Sequence, residues 1–141
     1  MTPLEKAVLK RKLTHLGELL QLLRAESNTP LTAFLQDRRQ QLMVERLLHL
    51  SVEAASDLLE HQLVQEFNSK PETYADSFLL AGRQGLIPME LAQRLVPAAG
   101  LRNRLVHNYE AIDASRVHAA IPVALQDLTQ LHQAVNARVR T

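Results

Sequence analysis

Leucines set the rhythm of this chain. Leu9, Leu13, Leu16, Leu20 and Leu23 recur at alternating steps of four and three, which lays one apolar stripe along a helix. Thr2, Pro3 and Glu5 ahead of them form a start signal: a capping hydroxyl, a proline suited to the first helical position and a carboxylate three residues after the cap. Ser27-Asn28-Thr29-Pro30 is a turn cluster that ends this helix. A second helix follows, with a short piece near Thr29-Pro30 and a long run from about 35 to 67. Leu47, Leu50, Ala54 and Leu58 share one face, and Leu48, Ala55, Leu59 and Leu63 lie beside them. So broad an apolar arc implies contact with more than one neighbour.

Ser69-Lys70-Pro71-Glu72 reads as a second capping box, opening a short helix over about 71–83 whose end Gly82 and Gly85 loosen. A fourth helix starts near Pro88 and carries Leu91, Leu95, Leu101, Leu105 and Ile112. Pro97 and Gly100 predict a kink or a break in it. Asp113 is placed to cap the last helix, where Val117, Ile121, Ala124, Leu128, Leu131, Val135 and Val139 keep a heptad-like rhythm and Pro122 predicts a bend. No segment alternates as a half-buried strand does. The pattern predicts an all-α fold, an antiparallel bundle of four to five helices forming one domain over 1–141.

Composition narrows the chemistry. At 141 residues with 46% apolar and 22% charged positions, the chain is an ordinary globular one, large enough to fold without staples. It has no cysteine, which removes disulfides and thiolate metal sites and suits a cytoplasmic location. The first residues lack the layout of a signal peptide, and no apolar run approaches the roughly 20 residues that span a bilayer. A net charge of +1 does not announce a nucleic-acid binder, so RNA affinity has to come from local patches. There is no phosphate loop, dinucleotide fingerprint or nucleophile elbow. His49, Glu53 and Asp57 fall on one helical stripe that is able to hold a metal, but a salt-bridged face is the favoured reading.

The stretch that stands out is Leu101-Arg102-Asn103-Arg104-Leu105-Val106-His107-Asn108-Tyr109. On a helix, Asn103 and His107 stack four apart, roughly opposite the buried line of Leu101, Leu105 and Ile112, so His107 is expected to face water. Arg102 and Tyr109 fall close to the apolar stripe. An arginine at the edge of a core is costly unless it meets an acid, a phosphate or another chain. Asp57 and Glu53 on the long helix are the candidate acids. By spacing alone, an ion-paired Arg102, an ordinary surface His107 and a packing role for Tyr109 are favoured over function.

Arg102, His107 and Tyr109 together resemble the signature of HEPN domains, an arginine and a histidine separated by four to six residues, and the tyrosine two positions after the histidine resembles the HepT type. Gly85-Leu86-Ile87-Pro88, Leu101 and Ile112-Asp113 sit where that family places similar residues. The resemblance implies a HEPN helical bundle that forms two-fold dimers and cleaves RNA without a metal or other cofactor. It implies the toxin of a type VII toxin–antitoxin pair acting on tRNA or mRNA, with an MNT-type nucleotidyltransferase antitoxin that transfers AMP to Tyr109. RNA carries its own nucleophile, the 2′-hydroxyl. His107 is then the acid–base group, Arg102 the phosphate clamp, and Asn103 a group that orients the imidazole or binds a phosphate oxygen. Arg104 is a further candidate for RNA affinity, although a solvated surface arginine is the favoured reading of that position. Arg102 and His107 diverge by roughly 140° on an ideal helix, which suggests a composite site completed by a second copy. The rival is a non-catalytic subunit that binds nucleotide or partner within a nucleotidyltransferase complex; a helical-bundle dimer without a site is a third reading.

Overall fold

A computed structural model of the protein describes residues 2–107 and 112–140. Among the described residues there are six helices and no strand. Helix α1 spans Pro3–Ala25, α2 Leu31–Leu35, α3 Arg38–Phe67, α4 Tyr74–Arg83, α5 Met89–His107 and α6 Ala114–Arg140. The Thr2–Glu5 capping box forms as expected: Glu5 N–H donates to Thr2 Oγ1 at 3.1 Å and Thr2 N–H to the Glu5 carboxylate at 2.6 Å. That backbone donor holds the Glu5 carboxyl below the usual carboxylate range. The short piece after Pro30 is a separate helix, α2, and Asp37 caps α3 by accepting from Gln40 N–H at 3.1 Å.

Helix α3 is the central element and touches each of the other five helices, which is the physical meaning of its broad apolar arc. Pairings along the chain give the directions. Lys12 is ion-paired with Asp57, and Gln40 donates to Glu26 at 2.7 Å, so α1 and α3 run antiparallel. Arg24 meets Thr129 at 3.3 Å and His132 meets the Leu13 carbonyl at 2.9 Å, which sets α6 antiparallel to α1. The stripe of α1 and all seven heptad-like positions of α6 are buried in one core. No helix among the described residues is long and apolar enough to cross a membrane.

Three local expectations are corrected. The cap of α4 is Thr73, which accepts from Asp76 N–H at 3.0 Å, and not Ser69. Ser69 is still occupied with finishing α3: Asn68 turns left-handed at φ 48°, and Ser69 N–H returns to the Leu63 carbonyl at 3.0 Å. Of the kink or break expected at Pro97 and Gly100, the break does not occur, since α5 is one helix through both. Pro97 and Gln93 are both exposed, so water can satisfy the carbonyl that the proline leaves without a donor. Ile112 lies just ahead of α6, packed against the core, and not on the stripe of α5, which is described to His107.

The α4–α5 turn depends on two glycines. Gly85 has φ +76°, and Leu86 N–H reaches back to the Ala81 carbonyl at 2.9 Å to close α4. A Cβ on Gly82 would stand 2.7 Å from the Ala92 Cβ, so its absence lets α4 and α5 pack closely. Asp113 starts α6 as expected. The Ser115 hydroxyl and backbone N–H donate to it at 2.7 and 2.9 Å and hold its carboxyl below the usual range.

Candidate active site

Helix α5 presents Leu91, Leu95 and Leu105 to the core, and its 100° step distributes the motif around the remaining surface. Arg102 falls at the edge of the buried face, with its side chain only 14% exposed. It is not buried without company. The ring of Tyr74, in the first turn of α4, lies under the guanidinium with its centroid 4.4 Å from Cζ. From the other side, Nη2 is 3.4 Å from Glu53 Oε2 on α3. Glu53 is in turn ion-paired with His49 one helical turn earlier. Nη1 donates to Asn103 Oδ1 at 3.3 Å. Nε is buried and has no hydrogen-bond partner among the described residues. A cation over an aromatic face contributes roughly 0.5–2 kcal/mol, more as water is excluded. Stacking, charge and packing therefore fix the guanidinium plane together.

His107 is exposed at the last position of α5, as the periodicity predicts. Arg102 is held against Glu53 on α3 and Tyr74 on α4, while His107 is exposed to water. Asn103 is exposed and bonded to Arg102; among the described residues no hydrogen bond joins it to His107. Arg104 is exposed on the side of α5 that faces α6, where it borders a cleft with Arg116. Tyr109 lies outside the described residues.

Of the two acids proposed for Arg102, Glu53 is the partner and Asp57 is committed to Lys12. This also divides the His49–Glu53–Asp57 stripe between two ion-pair systems. Among the described residues no group of three His, Asp or Glu side chains is arranged to hold a metal. Tyr74 went unseen in the sequence. It stands 28 residues before Arg102, and only the docking of α4 on α5 brings it under the guanidinium. Its one sequence signal is rarity, since the chain has two tyrosines.

Comparison with known proteins agrees with this architecture. The family model described as Ribonuclease HepT-like matches residues 10–135. A tRNA nuclease HepT of Aphanizomenon flos-aquae (strain 2012/KM1/D3) is 36% identical over 141 residues, covering 100% of this chain and 96% of the relative. An mRNA nuclease HepT of Shewanella oneidensis is 31% identical over 104 residues, covering 74% of this chain and 78% of the relative. A solved structure of a tri-AMPylated Shewanella oneidensis HEPN toxin in complex with MNT antitoxin superposes with a TM-score of 0.83 at 25% identity, over 97% of this chain and 99% of that one.

Proposed function

The chain belongs to the HepT-like ribonuclease family, and from that premise we propose that it is a metal-independent endoribonuclease toxin acting on tRNA or mRNA and restrained by an MNT-type nucleotidyltransferase. The observation that carries this reading is an exposed imidazole, His107, five residues beyond an arginine already oriented by Glu53 and Tyr74. Relatives named for tRNA and for mRNA cleavage support the reaction and keep both substrate classes in play. A HEPN toxin captured with MNT antitoxin in AMPylated form supports the partner and the mode of restraint.

The chemistry needs little beyond these side chains. His107 takes the proton of the RNA 2′-hydroxyl or gives one to the departing 5′-oxygen. Arg102 holds the phosphate and balances the charge that gathers on its oxygens; two of its five N–H groups face Glu53 and Asn103, which leaves donors for the substrate. Asn103 supports Arg102 at the rim, and Arg104 adds affinity for the strand. The site is composite: a two-fold dimer sets His107 of one copy beside Arg102 of the other. AMP on Tyr109, two residues from His107, places a phosphate and a base where RNA must lie.

The purified chain should cut RNA in the presence of EDTA and leave a 2′,3′-cyclic phosphate. His107→Ala should lose cleavage by at least about a hundredfold while keeping its helical circular dichroism. Chelator-sensitive cleavage, or an undiminished His107→Ala, overturns the mechanism. The transferase with ATP should add AMP mass to wild type and not to Tyr109→Phe. The engagement of Arg102 by Glu53 favours one rival, a non-catalytic binding subunit. Expression of the chain alone separates the two, arresting growth if it is the nuclease and having no effect if it is a scaffold.

A further inference from the structure

Helices α5 and α6 run antiparallel and leave a cleft of about 290 Å³ over α3. That is near the small end of the roughly 300–1,000 Å³ of small-molecule sites. Its floor is aliphatic, with Leu95, Ala120 and the 57%-exposed Val123 among its walls, and its rim carries Arg94, Arg104 and Arg116. A smaller pocket continues it toward the start of α6 and shares Leu101, Arg104 and Arg116. Two acids lie along this groove, and both are occupied. Asp127 is buried beneath Arg94, with Oδ1 3.2 Å from Nε, and Asp113 accepts from Ser115 at the α6 start. Arg94 also donates to Gln130 at 2.8 Å. Arg116 is 84% exposed, its Nε 4.0 Å from Asp113, and Arg104 is exposed.

We propose that this cleft takes the base of a nucleotide adjoining the scissile phosphate, while Arg104 and Arg116 hold the strand's flanking phosphates. The inference rests on the nuclease reading and deepens it. Position supports it: His107 follows Arg104 by three residues on α5, so the two are neighbours about 60° apart on one helical face. A strand lying along that face meets the arginine rim and the imidazole in succession. The chemistry also fits. A splayed base needs an apolar slot and a planar cation to stack on, and guanidinium groups supply the second. A second copy of this chain is the poorer occupant, because a two-fold placed on this face sets arginines against arginines.

The test is fluorescence anisotropy in a His107→Ala background, which holds RNA without cutting it. The probes are a short single-stranded RNA and an abasic ribose-phosphate strand of equal length. Ala120→Leu fills the slot and leaves every charge in place. It should weaken RNA binding by roughly tenfold and leave the abasic strand's affinity unchanged. Arg104→Ala with Arg116→Ala should weaken both probes and lower the salt dependence by about 0.7 per lost phosphate contact. Equal affinity of Ala120→Leu and its parent for RNA overturns the slot and leaves a plain phosphate track. A change of oligomeric state with RNA binding intact, read by sedimentation, assigns the cleft to a protein interface instead and equally overturns it. If wild type neither binds nor cuts RNA, the nuclease reading itself falls; if it does both and Ala120→Leu is indifferent, only this inference falls.

Discussion

Arg102 links stability to chemistry at the residue scale. Its guanidinium stacks on Tyr74, faces Glu53 and contacts Asn103, so removing it leaves Glu53 with His49 alone among the described residues and opens a gap above the ring. Glu53 is 35% exposed and partly solvated, which limits the penalty of stranding it. Arg102→Ala should therefore lower unfolding free energy in urea by about 1–2 kcal/mol and abolish cleavage. Arg102→Lys keeps the charge and loses the plane. It should recover part of the stability, as read by the denaturation midpoint, and little of the cleavage rate. Full activity in the lysine variant would mean that the oriented plane is irrelevant to the reaction. The sequence placed Arg102 beside the core and offered Glu53 as its partner. Tyr74 was not legible, because the contact depends on how α4 docks and no local periodicity encodes that.

At the scale of the element, helix starts show which signals are local and which compete. Thr2–Glu5 and Asp113 act where the sequence puts them, each accepting from the backbone at the start of its own helix. Ser69 has the right residue type and spacing but is taken up by the left-handed finish of α3, and Thr73 caps α4 instead. Thr73→Ala should cost about 1 kcal/mol. Ser69→Ala should stay within about 0.5 kcal/mol of wild type. Paired thermal or urea melts decide between the two assignments, and a larger loss at Ser69 would restore the capping box to it. The prolines show the same division. Pro97 and Pro122 sit inside α5 and α6 without ending them, because tertiary packing outweighs one missing hydrogen bond at an exposed turn.

For the whole molecule, the consequence of α5's geometry is that one chain holds Arg102 inward and His107 outward. If the reacting phosphate is gripped by both, each active groove draws on two copies. Mixing Arg102→Ala with His107→Ala, both inactive alone, should then restore cleavage. Random reassociation makes half of the dimers mixed, each with one intact site of two, so activity should recover to about a quarter of wild type. Absence of recovery after verified exchange of subunits would place both side chains of a working site in the same chain.

The helical class, the order of the long helices and their buried faces were legible in the sequence because they depend on 3.6-residue periodicity and on turn residues, which are local, whereas the expected four to five helices became six among the described residues once α2 separated from α3. The exposure of His107 was legible for the same reason, since it follows from its angle to the leucine stripe, whereas the motif was marked out only by its resemblance to HEPN domains. Tertiary structure decided what periodicity cannot carry. Docking chose Glu53 over Asp57 for Arg102, put Tyr74 beneath it, and opened the cleft between α5 and α6 where arginines 94, 104 and 116 gather from positions distant in sequence. A helix fixes the direction of each side chain about its own axis, whereas its partners depend on how it packs against the other helices.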